Sequence, residues 1–375
     1  MLKLIKKIGK FMVCRFLPQR YLIFESVPDL SDNTKAVFDE MVKRGINKKY
    51  TCVWLVSNSR KEFPQYLNTI YVDDINDSKR FMYYKLRAKS MIFCNTLIQK
   101  ANEKTKSFYL THATQIKDSS SYYLAPDDID YCFVTAQAFE KLMSRVYGVE
   151  VGKMVSLGFP RNDVFYKCHF NLNNILQGDY EKIIVWYPTF RQSKGGRIVE
   201  NCECLPIIHD EQQAILVNRV LVEHNILIIL KPHFAQDVKF IKDLKLSNIL
   251  FIDDTFFEEN KITSYQLVAS CDALLTDYSS IYFDFLACDK PIGVVWEDID
   301  FYRKNRGFCL DVDYYLKGAE KIYSVEDFVA FLERIANDVD MLKKERTEIR
   351  KLAHENCDGN NTQRVVDFII DKASL

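Results

Sequence analysis

Residues 21–56 read YLIFESVPDLSDNTKAVFDEMVKRGINKKYTCVWLV, and this stretch decides the fold class. Its two ends, YLIFES (21–26) and YTCVWLV (50–56), are apolar runs with the length and composition of buried strands. Between them, apolar residues at helical spacing predict a helix from a cap at residues 31–32 to Gly45. Because a strand that returns through a helix lies parallel to the first strand, the stretch predicts a parallel α/β unit.

The same alternation of short apolar runs and helical patterns continues towards the C terminus, and it predicts an α/β fold with largely parallel sheets. The further predicted strands are residues 90–95, 107–111, 131–135, 154–158, 182–187, 226–231, 248–253, 272–277 and 291–296. The further predicted helices are residues 136–147, 209–224, 262–270 and 279–288, with more helix from 325 onward.

A polar, Asn-rich stretch, FNLNNILQGDY (170–180), interrupts this alternation near the middle of the chain. We therefore expect two domains, residues 21–175 and 176–375, each with a parallel sheet. Two such domains leave a cleft between the carboxyl ends of their strands, where ligands of these folds bind. The last predicted helix, near residues 361–373, can cross back onto the first domain.

The formal net charge of zero hides an uneven distribution along the chain. The 375 residues carry 51 Lys and Arg against 51 Asp and Glu, a balance that argues against a nucleic-acid-binding protein. The first twenty residues hold six of the basic groups and no acidic group, so the remaining chain has 45 basic and 51 acidic groups, a net charge of −6. No run reaches the roughly 18 apolar residues that a membrane-spanning helix needs.

These first twenty residues (1–20, the basic head) have an amphipathic pattern. On a helix, one face carries Leu4, Ile5, Ile8, Phe11, Met12 and Phe16, and the other carries Lys3, Lys6, Lys7 and Lys10. The pattern predicts an interfacial helix on an anionic membrane surface, and the alternative is a surface helix packed on its own domain. A signal peptide is excluded, because the lysines interrupt any apolar core.

Several common functional classes are excluded by absent motifs. Neither domain has a G-x-G-x-x-G turn or a Walker-A loop, which excludes ordinary dinucleotide dehydrogenases and P-loop NTPases. The 11 cysteines are scattered, and Cys202 and Cys204 lack the two further ligands of a zinc site. We therefore predict no metal and reduced thiols.

Two histidines follow predicted strands, at the edge where the cleft is expected. His112 lies in LTHAT (110–114), where a near-neutral pKa suits a general base, although a structural loop histidine is the alternative. His233 ends LKPH (230–233), where the preceding proline restricts the backbone and a protonated ring would stabilise a diphosphate.

Four more polar clusters follow strands, and their side chains suit phosphate. The candidates are Arg161 in GFPRND (158–163), Thr189 and Arg191 in YPTFR (187–191), Ser279, Ser280 and Asp284 in TDYSSIYFD (276–284), and Arg306 in RKNRG (303–307). Arginine forks bind phosphate, and a helix that opens at Ser279–Ser280 would offer free N–H groups. Simple turns and helix caps are the alternative interpretation of each cluster. Together, the clusters indicate transfer chemistry on a nucleotide diphosphate.

In these residues the chain resembles the CDP-glycerol glycerophosphotransferases of teichoic-acid and capsule synthesis. The resemblance runs from FESVPDLSDNTKAVFDEM (24–41) through the histidine loop, GFPRND, YPTFR, KPH and TDYSSIYFDF to RGFCLD (306–311), in the family's order and spacing. One motif departs from the family pattern. Members usually have His-Gly-Thr-Pro-Leu-Lys, whereas this chain reads HATQIK from His112 to Lys117.

The resemblance implies a GT-B fold, with two Rossmann-like domains facing a central cleft, and it implies site roles. His112 matches the catalytic base and His233 a second essential histidine at the donor phosphates. The positions that match donor-binding motifs are Arg161, Thr189, Arg191, Ser279, Ser280, Asp284 and Arg306.

The implied reaction is transfer of a polyol phosphate from CDP-glycerol or CDP-ribitol to a lipid-linked glycan or polyol-phosphate acceptor, with release of CMP. The resemblance implies no tightly bound cofactor, a peripheral location on the cytoplasmic face of the cell membrane, an N-terminal acceptor domain and a C-terminal donor domain. No nucleic-acid partner is expected, and a homo-oligomer stays open. Two alternatives remain: a sugar-nucleotide glycosyltransferase or epimerase of the same fold, and a non-catalytic scaffold of a membrane assembly complex.

Overall fold

A computed structural model describes residues 16–118, 125–167, 170–176, 178–189, 205–232 and 238–375. The strands of these residues are β1 (Tyr21–Glu25), β2 (Thr51–Leu55), β3 (Thr69–Val72), β4 (Ala88–Phe93), β5 (Lys106–Tyr109), β6 (Tyr131–Val134), β7 (Met154–Ser156), β8 (Lys182–Trp186), β9 (Ile226–Leu230), β10 (Ile249–Phe251), β11 (Ala273–Thr276), β12 (Ile292–Val295) and β13 (Glu320–Ile322). Their helices are α1 (Asp32–Lys43), α2 (Ser78–Leu86), α3 (Glu140–Tyr147), α4 (Val164–Lys167), α5 (Glu211–Glu223), α6 (Lys239–Asp243), α7 (Asp254–Asn260), α8 (Ser264–Ser270), α9 (Ile281–Phe285), α10 (Ile299–Asn305), α11 (Val312–Tyr315), α12 (Val325–Ala336), α13 (Lys343–Ala353) and α14 (Asn361–Ala373).

The chain divides into two compact units. Unit 1 takes its described residues from 1–114, 120–163 and 355–375, and unit 2 takes its described residues from 115–119 and 164–354. The change of unit after Asp163 comes before the Asn-rich stretch 170–180 that interrupts the sequence pattern. Helix α14 belongs to unit 1, where it packs against α1.

Unit 1 has a seven-stranded parallel sheet in the order β3-β2-β1-β4-β5-β6-β7. Its core forms where β1 and β2 meet α1, because Phe24, Trp54 and Phe38 are fully buried and their rings lie 5.2–5.5 Å apart. Val365 and Ile369 of α14 complete the same apolar cluster. The sequence pattern does not predict edge strand β3, because three of its four residues are only half-buried.

Unit 2 has a six-stranded parallel sheet in the order β10-β9-β8-β11-β12-β13. All five residues of β9, ILIIL, are buried, as expected for a parallel strand covered on both faces. The helix predicted over 279–288 is shorter in the structure. Helix α9 has five residues and continues as a 3₁₀ turn over Leu286–Cys288.

Both sheets reverse their strand order once, between β1 and β4 in unit 1 and between β8 and β11 in unit 2. Such a reversal leaves a crevice at the carboxyl ends of the two strands, and this is the usual ligand site of open α/β sheets. No helix of the described part of the chain is long and apolar enough to cross a membrane.

Candidate active site

The histidine loop, residues 111–114, follows β5 in unit 1, and its backbone is held from α1. Thr111 has a left-handed φ of 50°, which a β-branched residue adopts only when its surroundings require it. The side chain of Asn33 donates to the carbonyl of Thr111 at 2.9 Å, and the same side chain accepts the backbone N–H of Arg161 at 3.1 Å. Asn33 therefore ties the histidine loop to the GFPRND turn.

Arg161 is buried in unit 1, with 3% of its side chain exposed. Its Nη1 donates to Asp32 Oδ1 at 2.7 Å and to the carbonyl of His112 at 2.5 Å. The sequence predicted a donor-binding arginine at this position. In the structure the guanidinium bonds Asp32 and the histidine loop, and the donor-binding role stays a prediction.

The rest of the loop is held by two other segments of unit 1. The hydroxyl of Tyr147 donates to the carbonyl of Ala113 at 2.9 Å, and the hydroxyl of Thr114 lies 3.1 Å from that of Thr135. Three consecutive carbonyls, from residue 111 to residue 113, thus accept hydrogen bonds from three different elements. These contacts fix the backbone of the loop that carries His112.

The surroundings of His112 lower its pKa from the usual value. Burial is the largest cause, and the positive charge of Arg161 acts in the same direction, whereas the charge of Asp32 and a backbone hydrogen bond to Cys94 raise the pKa. Nδ1 is enclosed by protein, while the residue as a whole is half-buried. The ring is therefore neutral near pH 7 and can accept a proton.

A buried carboxylate shapes the crevice between β1 and β4. Glu25 is 2% exposed, and it accepts the backbone N–H groups of Cys94, Asn95 and Thr96 at 3.3, 3.1 and 2.8 Å. Burial raises the pKa of this carboxyl group, and the hydrogen bonds from the Thr96 side chain and from the three backbone N–H groups oppose the rise. Residues 94–96 form the turn after β4, and Cys94 of this turn also bonds His112. Glu25 therefore stabilises the backbone that contacts the histidine.

The GFPRND turn is also a docking point for α14. Asp163 accepts the first two backbone N–H groups of that helix, from Asn361 at 2.8 Å and from Thr362 at 2.9 Å. A Cβ at Gly158 would lie 2.3 Å from the Asn361 side chain, and its φ is 82°, so glycine is required there. The motif therefore holds the histidine loop and the last helix together.

In unit 2, Asp277 organises the crevice between β8 and β11. It is 1% exposed, and it accepts the backbone N–H of Thr189 at 2.7 Å and the Thr189 hydroxyl. It also accepts the N–H of Tyr278 at 2.6 Å, while Thr276 donates to the carbonyl of Tyr187 at 2.9 Å. The carboxylate thus positions the one candidate donor-binding residue of the YPTFR motif that lies in the described chain.

The candidate donor-binding residues of the TDYSSIYFD motif come shortly after Asp277 in the sequence. Ser279 and Ser280 are half-buried, whereas Asp284 is 3% exposed inside α9. The donor-binding role that the sequence assigns to Asp284 stays a prediction at this buried position. With five residues, α9 also carries a weaker dipole than the predicted helix.

An aromatic cluster joins the segment before these serines to the segment that contains Arg306. The ring of Tyr278 lies 4.1 Å from that of Tyr302, and Phe308 packs 5.4 Å from both. Arg306 caps the C-terminal end of α10 and lies between Tyr302 and Phe308 in the sequence. It is half-buried. Phe308 also pairs with Lys117, so the second half of HATQIK, from Gln115, is bound to the RGFC segment within unit 2.

The other predicted site residues, His233 and Arg191, lie outside the described residues, as do residues 1–15 of the basic head. Within the described residues, no cluster of His, Cys, Asp and Glu is suited to hold a metal ion.

The chain matches the family described as CDP-glycerol:poly(glycerophosphate) glycerophosphotransferase over residues 8–371. It belongs to this family. The match confirms the predicted family and class of enzyme, and CDP-glycerol is the donor substrate of the family.

Individual relatives of this glycerophosphotransferase chain are named as teichoic acid enzymes. A teichoic acid glycerol-phosphate primase of Bacillus subtilis (strain 168) is 24% identical over 276 residues, which cover 72% of this chain and 66% of the primase. A teichoic acid poly(glycerol phosphate) polymerase of Bacillus spizizenii is 25% identical over 81% of both chains. The structure of the wall teichoic acid polymerase TagF covers 100% of this chain and 97% of that chain, with a TM-score of 0.74 at 18% identity, which confirms the predicted GT-B type of α/β fold.

Proposed function

We propose that this chain transfers glycerol phosphate from CDP-glycerol to a hydroxyl group of a growing teichoic acid chain and releases CMP. Family membership supports the donor and the type of transfer. The relatives named as primase and polymerase of glycerol phosphate support the acceptor class. We further propose that this acceptor is carried on a lipid, and that glycerol phosphate rather than ribitol phosphate is transferred.

His112 is the general base of the proposed reaction. The observation that carries this role is the histidine loop itself, whose three carbonyls are held while the enclosed ring has a lowered pKa. As the acceptor oxygen bonds to the β-phosphorus of CDP-glycerol, its proton passes to the neutral imidazole. The bond from that phosphorus to the bridging oxygen breaks, and CMP leaves with the electron pair.

Unit 2 supplies the donor site in this proposal. Thr189, Ser279 and Ser280 lie at the carboxyl ends of β8 and β11, where open α/β sheets bind ligands. Arg306 adds a positive charge to the diphosphate. We also propose that His233 and Arg191 act on the leaving group, as their motifs suggest.

Two candidates from the sequence take positioning roles instead. Arg161 donates to the carbonyl of His112. Asp284 is a buried residue of α9 and stabilises that helix against the protein interior. The burial of both side chains supports this assignment.

The test of the base is His112→Ala, with His224→Ala as the control at a half-buried histidine far along the chain. CMP release from CDP-glycerol in the presence of a short glycerol-phosphate oligomer should fall by about 10²–10⁴-fold in the first variant. The control variant should release CMP at the wild-type rate. Wild-type turnover by His112→Ala would remove His112 from the reaction.

We propose that the basic head binds an anionic membrane surface. Residues 18–20 are anchored to unit 1, because Gln19 donates to the carbonyl of Ala88 at 2.5 Å and Arg87 donates to that of Pro18 at 3.2 Å. Removal of residues 1–15 therefore tests the head without disturbing these contacts. The truncated chain should no longer sediment with phosphatidylglycerol vesicles, yet it should bind CDP-glycerol as before. Unchanged sedimentation would make the head a surface helix.

A further inference from the structure

Unit 1 contains a pocket that has no part in the chemistry described so far. Its volume is about 670 Å³, within the range of small-molecule sites. It lies at the carboxyl ends of three strands, since its lining includes Leu55 at the end of β2, Asp74 after β3, and residues 96–99 after β4. This is the ligand-binding edge of a parallel sheet.

The lining contains apolar residues, which we call the wall, and polar residues, which we call the rim. Leu55, Phe81 and Ile98 form part of the wall, and Phe81 and Ile98 are nearly fully buried. The ammonium group of Lys85 lies 5.5 Å from the Phe81 ring centre, so a positive charge sits over the wall.

The rest of the rim is made of hydrogen-bonding groups. Ser78 and Gln99 provide a hydroxyl and an amide, and Asp74 and Asp127 provide two carboxylates. Carboxylates and amides accept hydrogen bonds from hydroxyl groups, and a single ammonium group suits one phosphodiester. The lining therefore matches a polyhydroxylated group that bears a phosphodiester.

The pocket shares the turn after β4 with the proposed base. Thr96 lines the pocket and belongs to the turn that Glu25 holds. Two residues earlier in that turn, Cys94 bonds His112. Two residues span at most about 7 Å, so the pocket begins within one small-molecule length of the histidine.

Helix α2 links the pocket to the segment that follows the basic head. Ser78, Phe81 and Lys85 of this helix line the pocket. Immediately after it, Arg87 bonds Pro18, and the Tyr83 and Tyr84 rings of α2 pack on Tyr21. A ligand in the pocket would thus lie one helix away from the chain segment that is proposed to bind the membrane.

We propose that this pocket binds the growing end of the acceptor, a polyol joined to a phosphodiester, and delivers its terminal hydroxyl to His112. Lys85 contacts the phosphodiester and the rim binds the polyol. The proposal rests on the proposed function, because it assigns the acceptor of that reaction to a place in unit 1.

The test uses two variants of the pocket and two matched variants outside it. Lys85→Met removes the charge and keeps the apolar stem, and Ser78→Trp fills the rim at an exposed position. Lys79→Met and Lys79→Trp make comparable changes on the same helix at an exposed residue outside the lining. The substrates are CDP-glycerol and a water-soluble glycerol-phosphate oligomer, so that membrane binding does not enter the readout.

Both pocket variants should raise the KM for the oligomer by roughly tenfold or more, because Lys85→Met loses a charge-assisted contact and Ser78→Trp occupies space that the ligand needs. Their KM for CDP-glycerol should stay within about twofold of wild type. In the Lys79 variants, the KM for the oligomer and the KM for CDP-glycerol should both stay within the same limit. Calorimetry should show correspondingly weaker binding of the oligomer to Lys85→Met without any turnover. An unchanged KM for the oligomer in both pocket variants, or an equal rise of both KM values, overturns the proposal. Absence of CMP release by the wild-type enzyme with the oligomer would instead overturn the proposed function, and calorimetry separates the two cases.

Discussion

Two buried carboxylates lie at the equivalent crevices of the two units, one on the first strand of its crevice and one after the second. Glu25 accepts three backbone N–H groups at the crevice between β1 and β4, and Asp277 accepts two at the crevice between β8 and β11. Where neighbouring strands diverge, their last N–H groups have no partner in the sheet, and buried N–H groups require one. A carboxylate at the point of divergence supplies it in each unit.

The two crevices differ in what the carboxylate positions. Glu25 holds the backbone N–H groups and the side chain of the turn after β4, and its effect reaches His112 through Cys94. Asp277 also accepts the hydroxyl of Thr189, a candidate donor ligand. The same physical device thus supports the backbone beneath a proposed base in unit 1 and orients a proposed phosphate ligand in unit 2.

The largest effect is expected from Asp277→Ala. The change leaves the N–H groups of Thr189 and Tyr278 without their acceptor, and it should lower the free energy of unfolding by about 3 kcal/mol. It should also raise the KM for CDP-glycerol. Chemical unfolding and initial rates measure both quantities. The control is Asp254→Ala, since that carboxylate is 81% exposed beside Lys231 and should contribute less than about 1 kcal/mol. Equal losses in the two variants would contradict the role of Asp277.

Glu25→Gln should have a smaller effect that depends on pH. Burial raises the pKa of Glu25 above its usual value of 4.5, so the folded state holds this proton more tightly than the unfolded state does. The stability of the wild type relative to the variant is therefore greatest below about pH 4.5, and it declines as the pH rises through the folded-state pKa. Unfolding curves at pH 4.5 and 7.5 measure the change, with Glu103→Gln at an exposed position as the control. A difference that does not vary with pH would show that the carboxyl group is not perturbed.

The smallest effect is a pair of opposite shifts in the pH profile of kcat. Asp32→Asn removes a negative charge that raises the pKa of His112, so the acidic limb should move to lower pH. Arg161→Met removes a positive charge that lowers the same pKa, so the limb should move to higher pH. Each shift should be about one pH unit or less. Asp39→Asn is the control on α1, because that carboxylate is half-exposed and pairs with Lys35. Shifts in the same direction would mean that the two residues act on the fold and not on the charge of His112.

The sequence predicted the central strands well because each has a continuous apolar run. It missed the edge strands β3 and β13, whose residues are mostly half-buried and therefore lack that signal. It placed His112, Thr189 and Ser279 at strand ends, and the structure has them there. For Arg161 the residue type indicated phosphate, yet the side chain bonds Asp32, which lies 129 residues earlier in the chain.

Local periodicity by itself determined the α/β class, the alternation of strands with helices, and the polar clusters that follow the strands. These properties depend on the order of neighbouring side chains, which the sequence states directly. Only the tertiary structure decided that Glu25 supports the turn after β4 and that Asn33 and Tyr147 hold the histidine loop. These bonds join residues that lie 34 to 78 positions apart in the sequence, and no local pattern encodes such a pairing. The contacts exist because the parallel sheet brings the carboxyl ends of distant strands to one edge, where their polar groups must find partners.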